Sequence, residues 1–64
     1  MEVEEISVEE LEVLRLKNIK NLDQNKCAQK MNISQSTFQR VLSEAYRKIS
    51  HALIDGKAIR IIRK

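Results

Sequence analysis

The stretch "CAQKMNISQSTFQRVL", Cys27 to Leu42, decides how the rest of this chain is read. It begins as a polar helix, breaks abruptly, and resumes as a helix opening with Ser34, Gln35, Ser36 and Thr37. Asn32 stands where a left-handed residue would end the first of these helices, and a short amide side chain tolerates positive φ. Four residues earlier, Ala28 supplies a very small side chain at the point where two helices would cross closely. Cys27, Met31, Ile33, Phe38 and Val41 place apolar groups around that crossing, and neither helix contains proline. A helix-turn-helix makes all of these demands at once.

Working outward, Asp23 is an N-cap for a helix from Gln24 to about Met31, with Cys27, Ala28 and Met31 on one face. Ser34 caps the next helix. Its inward face is predicted to be Phe38, Val41, Leu42, Ala45, Ile49, Ala52 and Leu53, a period near 3.6. That pattern runs from Gln35 to Ile54, ~30 Å of helix, and Asp55-Gly56 ends it. Upstream, Ser7 and Glu10 form the S-x-x-E capping box. It opens a helix from Val8 to about Lys17, whose predicted apolar stripe is Val8, Leu11, Leu14 and Ile19, widened by Val13 and Leu16. Asn21-Leu22-Asp23 interrupts it.

The two ends are short. Residues 1–6 are a lead-in in which Val3 and Ile6 alternate with glutamates, and residues 57–64 form a tail or short strand around Ile59, Arg60 and Ile61. The tail has two candidate partners. It can pair with Val3–Ile6, setting Arg60, Arg63 and Lys64 against the glutamates, or with the same tail of a second copy. A two-stranded ribbon alone is marginal and an open strand edge invites pairing. The second arrangement, a homodimer, is the one favoured here, and it would set two recognition helices ~34 Å apart along DNA. The expected fold class is all-α: one domain, residues 1–64, a three- to four-helix bundle with a helix-turn-helix and possible short terminal strands.

Composition narrows the function. A chain of 64 residues buries only ~60% of the surface it exposes when unfolded, so a deep active-site cleft is not expected. Cys27 is the one cysteine, which excludes an internal disulfide and a zinc finger. A reducing cytoplasm is the expected location. No apolar run reaches the ~20 residues that span a bilayer, and the acidic beginning is unlike a signal peptide. Residues 1–14 hold six acids and no base, whereas residues 15–64 hold twelve bases against Asp23, Glu44 and Asp55, a balance of +9. A polyanion suits the basic part.

The polar face of the third helix carries the site expectation. Gln can bridge N6 and N7 of adenine, Arg can grip O6 and N7 of guanine, and Ser or Thr can meet bases or phosphates. Gln35, Ser36, Gln39 and Arg40 are the candidates for base edges. Ser34, Thr37, Ser43 and Arg47 are candidates for the DNA backbone, with Lys26, Lys30 and Lys48 adding sequence-independent attraction. Cys27 is expected to be a small buried hydrophobe, and His51 lacks partners for a metal site or general base. No nucleophile, base and oxyanion donor come together, so an enzyme is not expected, nor is a cofactor or a metal.

The segment Asp23 to Ile61 resembles a family of small prokaryotic proteins, domain of unknown function family 134, that are expected to bind DNA. The matching features are Ala28, "S-x-S-T-F-Q-R" at Ser34–Arg40, "A-x-R-K-I" at Ala45–Ile49 and "A-L-x-x-G-K-A-x-R-I" at Ala52–Ile61. "EELEVLRLKNIKNL", Glu9–Leu22, matches the preceding helix. The resemblance implies a domain similar to winged helices or to region 4 of bacterial sigma factors, and it implies DNA binding. Asn32 stands where that family has Gly and Asp23 where it has Ser. Members of that family usually carry a Cys- and Pro-containing segment before the first helix; this sequence does not show it, so the resemblance carries over no metal or redox role.

The resulting expectation is a cytoplasmic, sequence-specific binder of double-stranded DNA and a transcriptional regulator, with residues 35–54 in the major groove. The alternatives are a protein-interaction module on the same fold, gripping a partner such as RNA polymerase, and a fragment of a larger regulator.

Overall fold

The computed structural model describes residues 2–63. Strand β1 (Val3–Ser7) leads into α1 (Val8–Leu14), which continues as a π-helical segment (Arg15–Ile19); α2 (Gln24–Met31), α3 (Gln35–Asp55) and β2 (Ala58–Ile62) follow.

Each helix that begins after a break is fixed by a side chain. The Ser7 hydroxyl accepts from the Glu10 amide at 3.0 Å, while the Glu10 carboxylate accepts from the Ser7 amide at 2.9 Å. Asp23 accepts from the Lys26 amide at 2.8 Å, and Ser34 from the Thr37 amide at 3.1 Å. The ends are fixed by left-handed residues, Asn32 at φ 57° and Gly56 at φ 67°. Beyond them, the Ile33 amide donates to the Ala28 carbonyl at 3.0 Å and the Lys57 amide to the Ala52 carbonyl at 2.9 Å. These bonds satisfy carbonyls that the last helical turns would otherwise leave open.

The core is Val13, Leu16, Cys27, Ala28, Phe38, Val41 and Leu42, with Leu14, Leu22, Met31 and Ile33 packed against it. Phe38, Val13 and Cys27 are fully sealed. Ala28 lies inside this cluster, where a larger side chain would push α2 off α3.

The expectation of an all-α bundle is corrected by the ends of the chain. β1 and β2 form a two-stranded parallel sheet, in the register Val3↔Ala58 through Ser7↔Ile62. With three helices, the molecule is a small α/β structure. Of the two pairings considered for the tail, the one within the chain is observed. Partners across a parallel ladder project to the same side, so Glu4, Ile6, Ile59 and Ile61 share a face; Ile6 is buried and the two β2 isoleucines stay about half exposed. Arg60 meets Glu5 at 3.3 Å and Lys57 meets Glu4 at 3.6 Å. Arg63 is exposed, and Lys64 lies outside the described residues.

Two apolar faces also differ from expectation. On the first helix the buried positions are Glu10, Val13 and Leu16, while Val8, Leu11 and Ile19 are exposed. The helix runs past Lys17 as a π turn, closed by the Lys20 amide on the Arg15 carbonyl at 2.9 Å. Its wider ring rotates the following residues off the α-helical stripe, and Ile19 is 77% exposed as a result. On α3, Leu53 is 75% exposed although it shares Leu42's side of the helix. Its buried apolar core positions end at Ala52, so the period persists after the cover stops.

Candidate nucleic-acid interface

Spacing on α3 places Ser36, Gln39, Arg40, Ser43 and Arg47 within one stripe, because residues three and four apart are neighbours on a helix. All five are exposed, opposite the buried Phe38, Val41, Leu42 and Ala45. Gln35 lies beside this stripe on the flank that α2 crosses. The capped turn between Met31 and Gln35 thus leaves the amino-terminal end of α3 open to solvent, with Ser34 also exposed and Thr37 half-buried.

The side chains differ in how free they are. Ser34 is occupied as the helix cap and also donates to the Thr37 hydroxyl at 2.9 Å, with the Ser36 hydroxyl 3.2 Å away. Gln39 donates to the Ser43 hydroxyl at 3.1 Å. Arg47 is clamped by Glu44, its Nε 3.1 Å from one carboxylate oxygen and its terminal nitrogen on the other. The same hydrogen bonds hold the Glu44 carboxyl below its ordinary pKa and raise that of Arg47. Arg40, Lys26 and Lys30 are exposed and make no ion pair among the described residues.

Lys48 sits apart from the other candidates. It is half-buried, and its Nζ lies 3.0 Å from a Glu10 oxygen. Burial penalises the charge on Glu10, but the Ser7 amide and Lys48 outweigh it, holding the carboxyl below its ordinary pKa. Lys48 therefore joins α3 to the start of α1, facing away from the Ser36–Arg47 stripe.

Two contacts that spacing had not singled out come from the first turn of α2. Gln35 Nε2 donates to Asn25 Oδ1 at 3.0 Å, and Gln24 Nε2 approaches the Gln35 carbonyl at 3.4 Å. The signal for them lies in the tertiary crossing of α2 and α3, which brings residues ten and eleven apart together. A third feature is an apolar groove of about 560 Å³ between the first helix and α3, lined by Leu11, Leu14, Ile19, Tyr46 and Ile49. The Tyr46 hydroxyl spans its edge and donates to Asn18 Oδ1 at 3.1 Å. Cys27 is buried, its thiol 3.6 Å from the Leu22 carbonyl. No helix among the described residues is long and apolar enough to cross a membrane.

The class these features define is a small α/β fold that presents a capped two-helix unit with a polar, partly cationic face. The chain belongs to the family described as Protein of unknown function DUF134, whose model matches residues 1–64. It is 54% identical over 57 residues to a UPF0251 protein of Caldicellulosiruptor bescii, an overlap that covers 89% of this chain and 41% of that protein. A UPF0251 protein of Clostridium beijerinckii is 52% identical over 62 residues, covering 94% of this chain and 42% of the relative. The corresponding protein of Halothermothrix orenii is 54% identical over 55 residues, covering 86% and 41%. The chain thus spans about two fifths of the length of the curated relatives it matches. No solved structure matches it significantly.

Proposed function

We propose that this chain is a sequence-specific double-stranded-DNA-binding module of the helix-turn-helix type, similar to region 4 of sigma factors, and that it serves transcriptional regulation. In this reading α3 enters the major groove by its amino-terminal end and α2 lies across the backbone. One observation carries it: the Asn32 turn leaves Gln35, Ser36, Gln39 and Arg40 exposed, with Arg40 unclaimed by any carboxylate among the described residues. A guanidinium held free beside two amides and a hydroxyl suits base edges. Lys26 and Lys30 on α2 supply phosphate contacts, whereas Arg47 must first leave Glu44 and Lys48 is committed to Glu10.

Selection from a random oligonucleotide pool tests this directly. Log affinity for the selected duplex should fall with log salt with a slope of about two, from Lys26 and Lys30 at ~0.9 per phosphate contact. Arg40→Ala should weaken the selected site by about 1–3 kcal/mol with the melting temperature unchanged. A flat salt response and no enrichment would reject the reading. The groove at Leu11, Ile19 and Tyr46 favours a second one, in which this fold docks another protein of the transcription machinery; alanine at Leu11 and Ile19 would then abolish binding where Arg40→Ala does not. A homodimer formed through the tail would use the outer edge of β2, because its inner edge is occupied by β1.

A further inference from the structure

We propose that Asn25 is a positioning residue, which orients the Gln35 amide to read the N6–N7 edge of an adenine; this rests on the DNA-binding reading above. Gln35 is the first residue of α3, and α2 holds it twice. Its side-chain nitrogen donates to Asn25 Oδ1 at 3.0 Å, and its main-chain carbonyl lies 3.4 Å from Gln24 Nε2. Both contacts come from the first turn of α2, across the turn that Asn32 closes.

The chemistry follows from the inventory of an amide, which has two N–H donors on one atom and an acceptor on the other. A free glutamine can rotate its end group and offer donor and acceptor in either order. Asn25 removes that freedom, because its oxygen accepts only from the Gln35 nitrogen. One N–H and the Oε1 of Gln35 then remain for a ligand. Adenine offers the matching pair in the major groove, an acceptor at N7 and a donor at N6. Reversing both amides together would keep the Asn25–Gln35 bond. It would also exchange the spare donors of Asn25 for an oxygen, which a phosphate would repel if α2 lies across the DNA backbone as proposed. In that docking the orientation observed is the favoured one. Asn25 and Gln35 are both exposed, so loss of the bond should cost the fold little.

The test uses the full chain and the duplex that it selects. Wild-type affinity is measured on that duplex, on versions with each A·T pair changed to G·C, and on one with adenine replaced by purine lacking the N6 amine. One A·T pair should depend on Gln35, with roughly 5- to 100-fold discrimination that Gln35→Ala removes. Asn25→Ala should lose most of the discrimination at that pair alone, leaving other positions and the melting temperature unchanged. Asn25→Asp keeps an acceptor and should keep the discrimination, while weakening every duplex alike by charge repulsion. The double variant Asn25→Ala/Gln35→Ala should discriminate no worse than Gln35→Ala, since the two act through one contact. Uniform weakening by Asn25→Ala, or discrimination that survives Gln35→Ala, overturns the positioning role and leaves DNA binding standing. Failure to select any duplex overturns both.

Discussion

Helices α2 and α3 meet through Cys27, Ala28 and Phe38, all sealed from water, whereas the β1–β2 ladder contributes one sealed residue, Ile6, and leaves Ile59 and Ile61 about half exposed. The first unit is a capped turn backed by core, with every end closed by a side chain or a left-handed residue. The second joins two five-residue segments from opposite ends of the chain, and its side-chain ion pairs Arg60–Glu5 and Lys57–Glu4 lie at 3.3 and 3.6 Å. A unit specified by neighbours in sequence can form early and hold firmly. A ladder that must first close the whole chain depends on what the helices have already built.

The sharpest way to break this comparison is to empty its stronger side. Phe38→Ala should cost about 3–5 kcal/mol, comparable to the whole stability expected of a chain this short, and circular dichroism should show loss of the cooperative unfolding transition. Ile6→Ala comes next, at about 2–4 kcal/mol in urea denaturation. Native-state hydrogen exchange on that variant should deprotect the β1–β2 ladder before the α2 and α3 amides; equal loss in both would mean that the two units are a single cooperative one.

Glu10 connects the two sides, so its removal sharpens the contrast. Glu10→Ala should cost about 1–2 kcal/mol, because it breaks the capping box and leaves the half-buried Lys48 without its partner. The pH dependence has a definite sign. The folded-state pKa of Glu10 is depressed, so its contribution is complete at neutral pH and is lost as acid drives the pH below the ordinary carboxylate value and through the folded one. The variant should show a flatter stability profile across that acid range. The smallest effect belongs to the turn. Asn32→Gly should change the melting temperature little, and Asn32→Ala should lower stability by about 1 kcal/mol, since φ 57° burdens a residue without the local amide.

What could be read from residues alone follows the same division. Ser7, Asp23 and Ser34 as caps, Asn32 and Gly56 as terminators, and the span of α2 were all legible, because each is a local bargain between a side chain and the backbone beside it. The sheet was not fixed by anything local. Val3–Ile6 and the tail both looked strand-like, but which partner each takes depends on where the helices deliver the chain ends, and that left an all-α bundle as the expectation. The face of the first helix was misread because the π turn at Arg15–Ile19 shifts the period, and Leu53 because its helix outruns its cover. In the candidate interface, the exposed stripe Ser36–Arg47 follows from spacing. The capture of Lys48 by Glu10 and of Gln35 by Asn25 does not, because both depend on tertiary crossings.

The direction of the ladder has a mechanical corollary. β1 begins beside the beginning of β2, so the chain leaves the pair at opposite ends, upstream of Val3 and downstream of Ile62. Tension applied through those exits pulls the strands lengthwise past each other and does not peel them apart. Every rung of the ladder then shares the load and must yield together, so a pair with little thermal protection would act as a brittle fastener against stretching.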